Sequence, residues 1–515
     1  MNNIFTKVQV PKLGRNRFNL SHDIKLSFNM GELIPTTCME VVPGDVVKIN
    51  VENMLRFAPL ISPVMHKVEI FTHYYFVPNR ILWPEWEDWI TGQSEVEPPY
   101  ITDWDTLAEG TVGDYLGLPI NTGDSTLKAS VLPMSAYLKI YDDYYRDQNL
   151  QNPTWAPLES GSNNAENIAT LLQLAPLKRA WEHDYFTSCL PWAQKGDAVT
   201  LPLINSQAVP VTPNLSGSNS ALARKASDHT GMQGNTFTAE DPPGILKING
   251  TPVYWDPNGT LEVDINDEAT TITTLRRAFM LQEWLELNAR GGTRYIENIE
   301  AHFNVMSSDK RLQRPEYIGG GRQNMIISEV LSTAQTQNAD NSISNPVGQM
   351  AGHGISAGGS KSFNYKAEEH GFIIGIINVQ PVTAYQQGIH KKFSRETNLD
   401  YFWPKFQHIG EQEVYNKELY AEHTNPDGVF GYIPRYAEYK FENSRVAGKM
   451  RTDLDFWTLA RIFDNDPALN SDFIECNPSR RIFAVTDPDE DTIYAHIYNN
   501  ITASRLMAKY GIPHI

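Results

Sequence analysis

Cysteine is scarce in this chain: Cys38, Cys189 and Cys476 are the three in 515 residues. They are far apart, odd in number and in no metal-ligand spacing. This argues against a disulfide-stapled scaffold and fits free thiols in a reducing compartment. Positive charge is also short. Lys and Arg number 43 against 61 Asp and Glu, a formal net charge of −18. A protein held to nucleic acid mainly through its own surface is normally basic overall, so either DNA is not a partner, or contact is confined to one patch and another component neutralises the phosphates. No apolar run reaches the length of a membrane span, and the opening MNNIFTKVQVPKLGRNRF has no apolar segment of the secretory kind. Neither membrane insertion nor export is expected, and folding is expected where the chain is made, in a cytoplasm.

The signatures of enzyme chemistry are missing as well. No phosphate-binding G-x-x-x-x-G-K-S/T occurs, and Gly319-Gly320-Gly321-Arg322 reads as a turn cluster without the needed Lys and hydroxyl. Neither G-x-S-x-G nor H-E-x-x-H is present. His66 and His73 are seven apart on an expected strand, hence on opposite faces and unable to share a metal. Asp487, Asp489 and Asp491 open like a calcium loop, but Thr492 stands where Gly is needed and Tyr498 where a bidentate Glu is needed, so a solvated acidic turn is expected. His183-Asp184 and Glu368-Glu369-His370 are isolated short clusters. No cofactor or metal is expected.

What the chain does have is aromatic surface and β signals. The 11 Trp and 23 Tyr suit either a large core or extensive protein contacts. Residues 1–22 form a basic arm with Lys7, Lys12, Arg15 and Arg17 and no acid before Asp23; such an arm follows a phosphate backbone by charge or is an ordinary mobile terminus. Val46–Val51 and Lys67–Val77 read as strands, the latter ending at Pro78, and Gly371–Val379 as a central strand. Trp83–Ile90 reads as a short helix with Pro84 in its first turn and Gly92 beyond its end. Residues 93–130 are loop-rich, and 134–146 and 165–188 mixed or helical. Between 205 and 270 three cations face eight acids. There Ile245–Ile248, Asn249-Gly250 and Thr251–Trp255 read as a hairpin, and Asn258-Gly259 precedes another strand, Thr260–Ile265. This stretch is expected to be an exposed acidic insertion. Thr273–Arg290 is the clearest helix, capped by Thr273 or Thr274 and stopped by Gly291-Gly292. One face carries Leu275, Ala278, Phe279, Leu281, Leu285 and Ala289, while Trp284 and Leu287 fall off it. Residues 335–362 read as a polar loop and Asp453–Phe463 as another helix. Scattered strands with long connections predict an all-β-dominated antiparallel sandwich carrying insertions.

Collinear blocks over nearly the whole chain resemble the major capsid proteins of microviruses, most closely the gokushovirus branch. They include Phe18-Asn19-Leu20-Ser21-His22, Glu40-Val41-Val42-Pro43-Gly44-Asp45, Tyr75-Phe76-Val77-Pro78-Asn79-Arg80, and Leu190-Pro191-Trp192-Ala193-Gln194-Lys195-Gly196. The most specific are Ala289-Arg290-Gly291-Gly292-Thr293-Arg294-Tyr295 and Arg311-Leu312-Gln313-Arg314-Pro315-Glu316-Tyr317-Ile318-Gly319-Gly320, with Tyr510-Gly511-Ile512-Pro513 near the end. The resemblance implies an eight-stranded jelly roll over residues 23–515 with helix-bearing insertions. It also implies a virion protein, a T=1 icosahedral shell of about 60 subunits with pentamer and threefold contacts, and a circular single-stranded DNA genome. The implied partners are a small basic DNA-packaging protein, a minor capsid or pilot protein, and a host cell-surface receptor. It places the 205–270 insertion as a threefold protrusion, where Ile245, Ile248, Val253 and Trp255 would share an apolar cluster, and it turns Lys7, Lys12, Arg15 and Arg17 towards the genome. From residues alone, a carbohydrate-binding β-sandwich or a glycoside hydrolase stays open.

Overall fold

The computed structural model describes residues 14–510, except 103, 105–106, 121–122, 124–125, 165–174, 334–335, 338–342, 346 and 486, and, between 200 and 271, describes only five short strands. The chain divides into two compact units, one of residues 1–195 with 286–515 and the other Gly196–Leu285.

The first unit is a β-sandwich. Its long strands are β1 (Asn16–Asn19), β2 (His22–Phe28), β3 (Ile34–Val41), β4 (Val46–Phe57), β5 (Val68–Pro78), β6 (Glu316–Asn324), β7 (Ile326–Leu331), β8 (Met350–Gly359), β9 (Phe363–Lys366), β10 (Gly371–Pro381) and β11 (Ile493–Arg505). One sheet has the order β1–β11–β4–β8–β7, with β2 also on β11 and β9 also on β4. The other has the order β6–β5–β10–β3. The chain crosses repeatedly between the sheets, with β1–β2, β5–β6 and β7–β9 each staying within one of them, and every pairing within the two sheets is antiparallel. This is the wrapping of a capsid-type jelly roll.

The residue pattern explains how each sheet is covered. Along β4, Val47, Ile49, Val51, Leu55 and Phe57 are buried, while Lys48, Glu52, Met54 and Arg56 are exposed. This two-residue period marks a strand with one dry and one wet face. β11 alternates likewise, with Ile493, Ile497 and Ile501 inward. In contrast, β5 is buried at every position but His73, and β10 at every position but Phe372. The main core fills the space between the sheets, with Ile49, Leu55, Tyr74, Phe76, Ile373 and Ile497 among its members. A second apolar cluster seals the opposite face of β5 and β10, bringing Tyr75, Val77 and Ile374 against the helix α1 (Leu132–Ile140). At Gly31, between β2 and β3, φ is +88° and a methyl group would strike the Cys476 carbonyl, so only glycine fits.

Several expectations need correction. Residues 350–359, expected as polar loop, form β8, and Gly319–Arg322, expected as a turn, lies within β6. Glycine here serves close approach: a side chain at Gly352 would collide with the Ser62 carbonyl, and one at Gly354 with the Phe57 ring. Asp453–Phe463 is not an α-helix. It holds one 3-10 turn, Asp455–Trp457, and then runs extended, because Arg481 donates to the carbonyls of Asp455 and Ala460 and the Arg461 amide donates to Ala384. Residues 175–188 form turns and bridges; 165–174 lie outside the described residues. The arm ends earlier than residue 22, since Asn16–Asn19 already pair with β11. Among the described residues, the two main sheets hold seven and four strands.

In the second unit, Phe237–Glu240, Ile245–Ile248 and Thr251–Val253 form an antiparallel meander, and Glu262–Asp264 pairs with Ala208–Pro210. The expected hairpin is present, with Ile248 opposite Thr251; its turn residues Asn249 and Gly250, and Trp255, lie outside the described residues. The long helix α2 spans Ile272–Arg290 and ends as expected, the Gly291 amide donating to Leu287. Of the apolar face, Ala289 is buried, while Phe279 and Leu281 are exposed, as are Met280 and Trp284.

One buried polar residue ties the sheets together. Asn499 of β11 is fully buried; its Oδ1 accepts from Tyr74 Oη (3.1 Å) and its Nδ2 donates to the Thr36 carbonyl (3.2 Å). Asn499→Ala strands both partners in the core and should cost about 2–4 kcal/mol in urea unfolding, against about 1 kcal/mol for Tyr74→Phe.

Glu32 gives a pH signature. Burial, reinforced by the nearby Asp491 carboxylate, raises its carboxyl to about 7, although the Asn29 amide donates to it. The folded state therefore holds a proton that the unfolded chain releases near pH 4.5. Stability should be greatest below that pH for this group and fall as pH rises to about 7. Glu32→Gln should flatten that part of a thermal-stability profile.

Candidate nucleic-acid interface

The β4/β11 sheet leaves a polar face open, and the two described arm cations lie at one end of it. Arg17 on β1 stands opposite Ser504, and Arg15 Nη1 donates to the Ser504 carbonyl at 3.3 Å. Register then brings together residues far apart in sequence. Thr502 lies opposite Lys48 and Asn500 opposite Asn50, while Asn364 of β9 flanks Lys48 from the other side. With Arg17 these residues line a shallow hollow of about 640 Å³ whose lining contains no acid. The buried carboxylate of Asp45, next to Val46 in the lining, is matched by Arg505 at 3.1 Å.

This chemistry suits a polyanion. A guanidinium and an ammonium can sit on phosphates, and the Asn side chains offer both donors and acceptors to sugars or base edges. Lys7 and Lys12 lie outside the described residues. Arg15 and Arg17 were legible as cations without neighbouring acids. Lys48, Asn50, Asn364 and Asn500 were missed, although the alternation of Val46–Val51 already marks Lys48 and Asn50 as outward.

In two other cavities, carboxylates are held by hydrogen bonds and ion pairs. In one of about 490 Å³, Glu418 accepts from Tyr185 Oη (2.9 Å) and the Tyr415 amide (3.1 Å). In one of about 1120 Å³, Glu182 pairs with Arg179, Glu297 with Arg294 and Glu411 with Arg290. Asp184 is likewise engaged, accepting from the Phe186 and Thr187 amides and from Tyr385 Oη. His66 contacts the Val382 carbonyl and His73 contacts Tyr145 Oη. Among the described residues, no group of three or more His, Cys, Asp or Glu could hold a metal, and no helix is long and apolar enough to cross a membrane.

A jelly roll with long insertions and an open polar face is the architecture of a shell-building protein. The comparisons agree: residues 6–515 match the family model for the phage capsid protein (F protein), and the chain belongs to that family. It is 37% identical to capsid protein VP1 of Bdellovibrio phage phiMH2K, over 98% of this chain and 96% of that one. It is 32% identical to capsid protein VP1 of Chlamydia phage 1 (100% and 98% covered) and 30% identical to that of Spiroplasma virus 4 (97% and 95%). All three come from microviruses of gokushovirus type. The chain is a structural, non-enzymatic capsid protein of the virion, a family whose members assemble into a shell.

Replacing Arg17 and Lys48 by Gln should weaken binding of a single-stranded oligonucleotide and make its log–log salt dependence shallower by about 1.4, the value for two lost phosphate contacts. Titrations across salt concentrations check this.

Proposed function

We propose that this chain is the major subunit of a T=1 icosahedral shell around a circular single-stranded DNA genome, with the β4/β11 face turned inward. The observation that carries the reading is the acid-free hollow at Arg17 and Lys48 in a chain of net charge −18. Surface acidity favours solubility before assembly, while one local basic patch meets the genome. Lys7, Lys12, Arg15 and Arg17 then face the DNA or the small basic packaging protein that neutralises most of its charge. A minor capsid or pilot protein completes the particle.

The 205–270 segment is proposed as a projection at the threefold axes and as a contact for a host receptor. Its acidic, Asn-Gly-punctuated composition and the three-stranded meander support this reading. So small a meander cannot bury a core alone, which favours sharing Ile245, Ile248, Val253 and Trp255 among three copies.

Two experiments test the proposal. Particles from co-expression with the other virion proteins, viewed by electron microscopy, should be uniform and icosahedral; chains that stay monomeric under all assembly conditions would overturn the shell. Deleting 207–268 and joining the ends by a short Gly/Ser linker should leave shells that assemble but infect poorly. Normal infection removes the attachment role, and failure to assemble makes the segment structural.

A further inference from the structure

The open face of the β4/β11 sheet carries more than charge. Tyr494, His496 and Tyr498 occupy alternate outward positions of β11 and are all exposed, Tyr494 at 46% and Tyr498 at 39%. Register surrounds them with a mixed set. Tyr494 lies between Ser27 and Arg56, His496 between Lys25 and Met54, and Tyr498 between Asp23 and Glu52. The matching outer face of β5 and β10 is sealed by an apolar cluster, whereas these rings remain in water. Rings in water on a flat sheet call for a partner with flat apolar surfaces of its own.

From these observations we infer that the Tyr494–His496–Tyr498 row is a base-stacking platform for single-stranded nucleic acid. This rests on the inward orientation proposed for the face. Alternate residues of a strand are about 6.8 Å apart, twice the 3.4 Å step of stacked bases. A strand laid along β11 therefore has to open its stack and place separate bases on the rings, which a duplex cannot do. The charges divide the labour. Asp23 is held by Lys25 and His496, which keep its carboxyl below the usual range; it and Glu52 oppose phosphates beside Tyr498 but accept from base amino groups. Phosphates are drawn instead to Arg56 and to the Arg17 and Lys48 end. Stacking ignores base identity, since every base has a π face, and this suits a subunit that must meet any part of a genome.

The test uses the purified full-length protein with a fluorescent twelve-base oligo(dT), a mixed-sequence single strand and a duplex of equal length. The wild type should bind both single strands alike and the duplex more weakly. The Tyr494→Ala, Tyr498→Ala double variant should lose at least tenfold in single-strand affinity with an unchanged salt slope, while Tyr494→Phe, Tyr498→Phe keeps the rings and the affinity. Arg17→Gln, Lys48→Gln, run in parallel, should change the slope instead. If the wild type binds and the alanine variant binds equally well, the platform is wrong while the inward face stands. If the wild type binds no oligonucleotide, both fail. If the alanine variant binds normally but no longer assembles, the row belongs to subunit contact and the inference is overturned.

Discussion

The ladder between β4 and β11 is the constraint on which the sandwich depends. It runs without interruption from Ile493 opposite Phe57 to Ser504 opposite Val46. β1 and β2 attach to β11, β8 and β9 attach to β4, and β7 reaches the sheet only through β8. Partners in this ladder are more than 400 residues apart. Closing so long a loop costs about 3 kcal/mol more than closing a ten-residue turn, which long, fully paired strands offset. Pairing this distant also slows folding. The same strand supplies Asn499, whose two hydrogen bonds fix the second sheet against the first.

The second sheet solves a different problem. β5 and β10 are apolar on both faces, so they need cover on both, and the long connections supply it. Residues after β5 return as α1 and its neighbours, placing Tyr137 and Ile140 over Tyr75, Val77 and Ile374. Tyr137 Oη then donates to the Leu33 carbonyl at 2.9 Å, tying this cover to the turn ahead of β3. The insertions are therefore part of the core and not decoration upon it.

Much of this was legible in the residues. Val46–Val51 showed its alternation, Gly371–Val379 its uniform apolarity, and Thr273–Arg290 its period and its Gly stop. The jelly-roll wrapping came from the collinear family blocks, since pattern alone gives strands but not their partners. Where reading failed, a contact from elsewhere had overruled a local signal. Glycines in 350–359 look like turn formers, yet they are used for the side chain they lack beneath Ser62 and Phe57. Asp453–Phe463 has helical spacing, but the guanidinium of Arg481 takes its carbonyls. The candidate interface was half visible for the same reason. Arg15 and Arg17 stand out as cations, whereas Lys48, Asn364 and Asn500 become neighbours only through register.

The alternation of β4 and β11 has a consequence for how such chains diverge. Inward positions are locked by packing and by Asn499, and β5 and β10 are locked at nearly every position. The outward residues of β4 and β11 are exposed or half-buried, so a change there disturbs the fold less than one inside. Substitutions can accumulate at every second position of two long strands while the scaffold keeps its shape. A lineage can thus retune this exposed face, one residue at a time, without passing through an unstable intermediate.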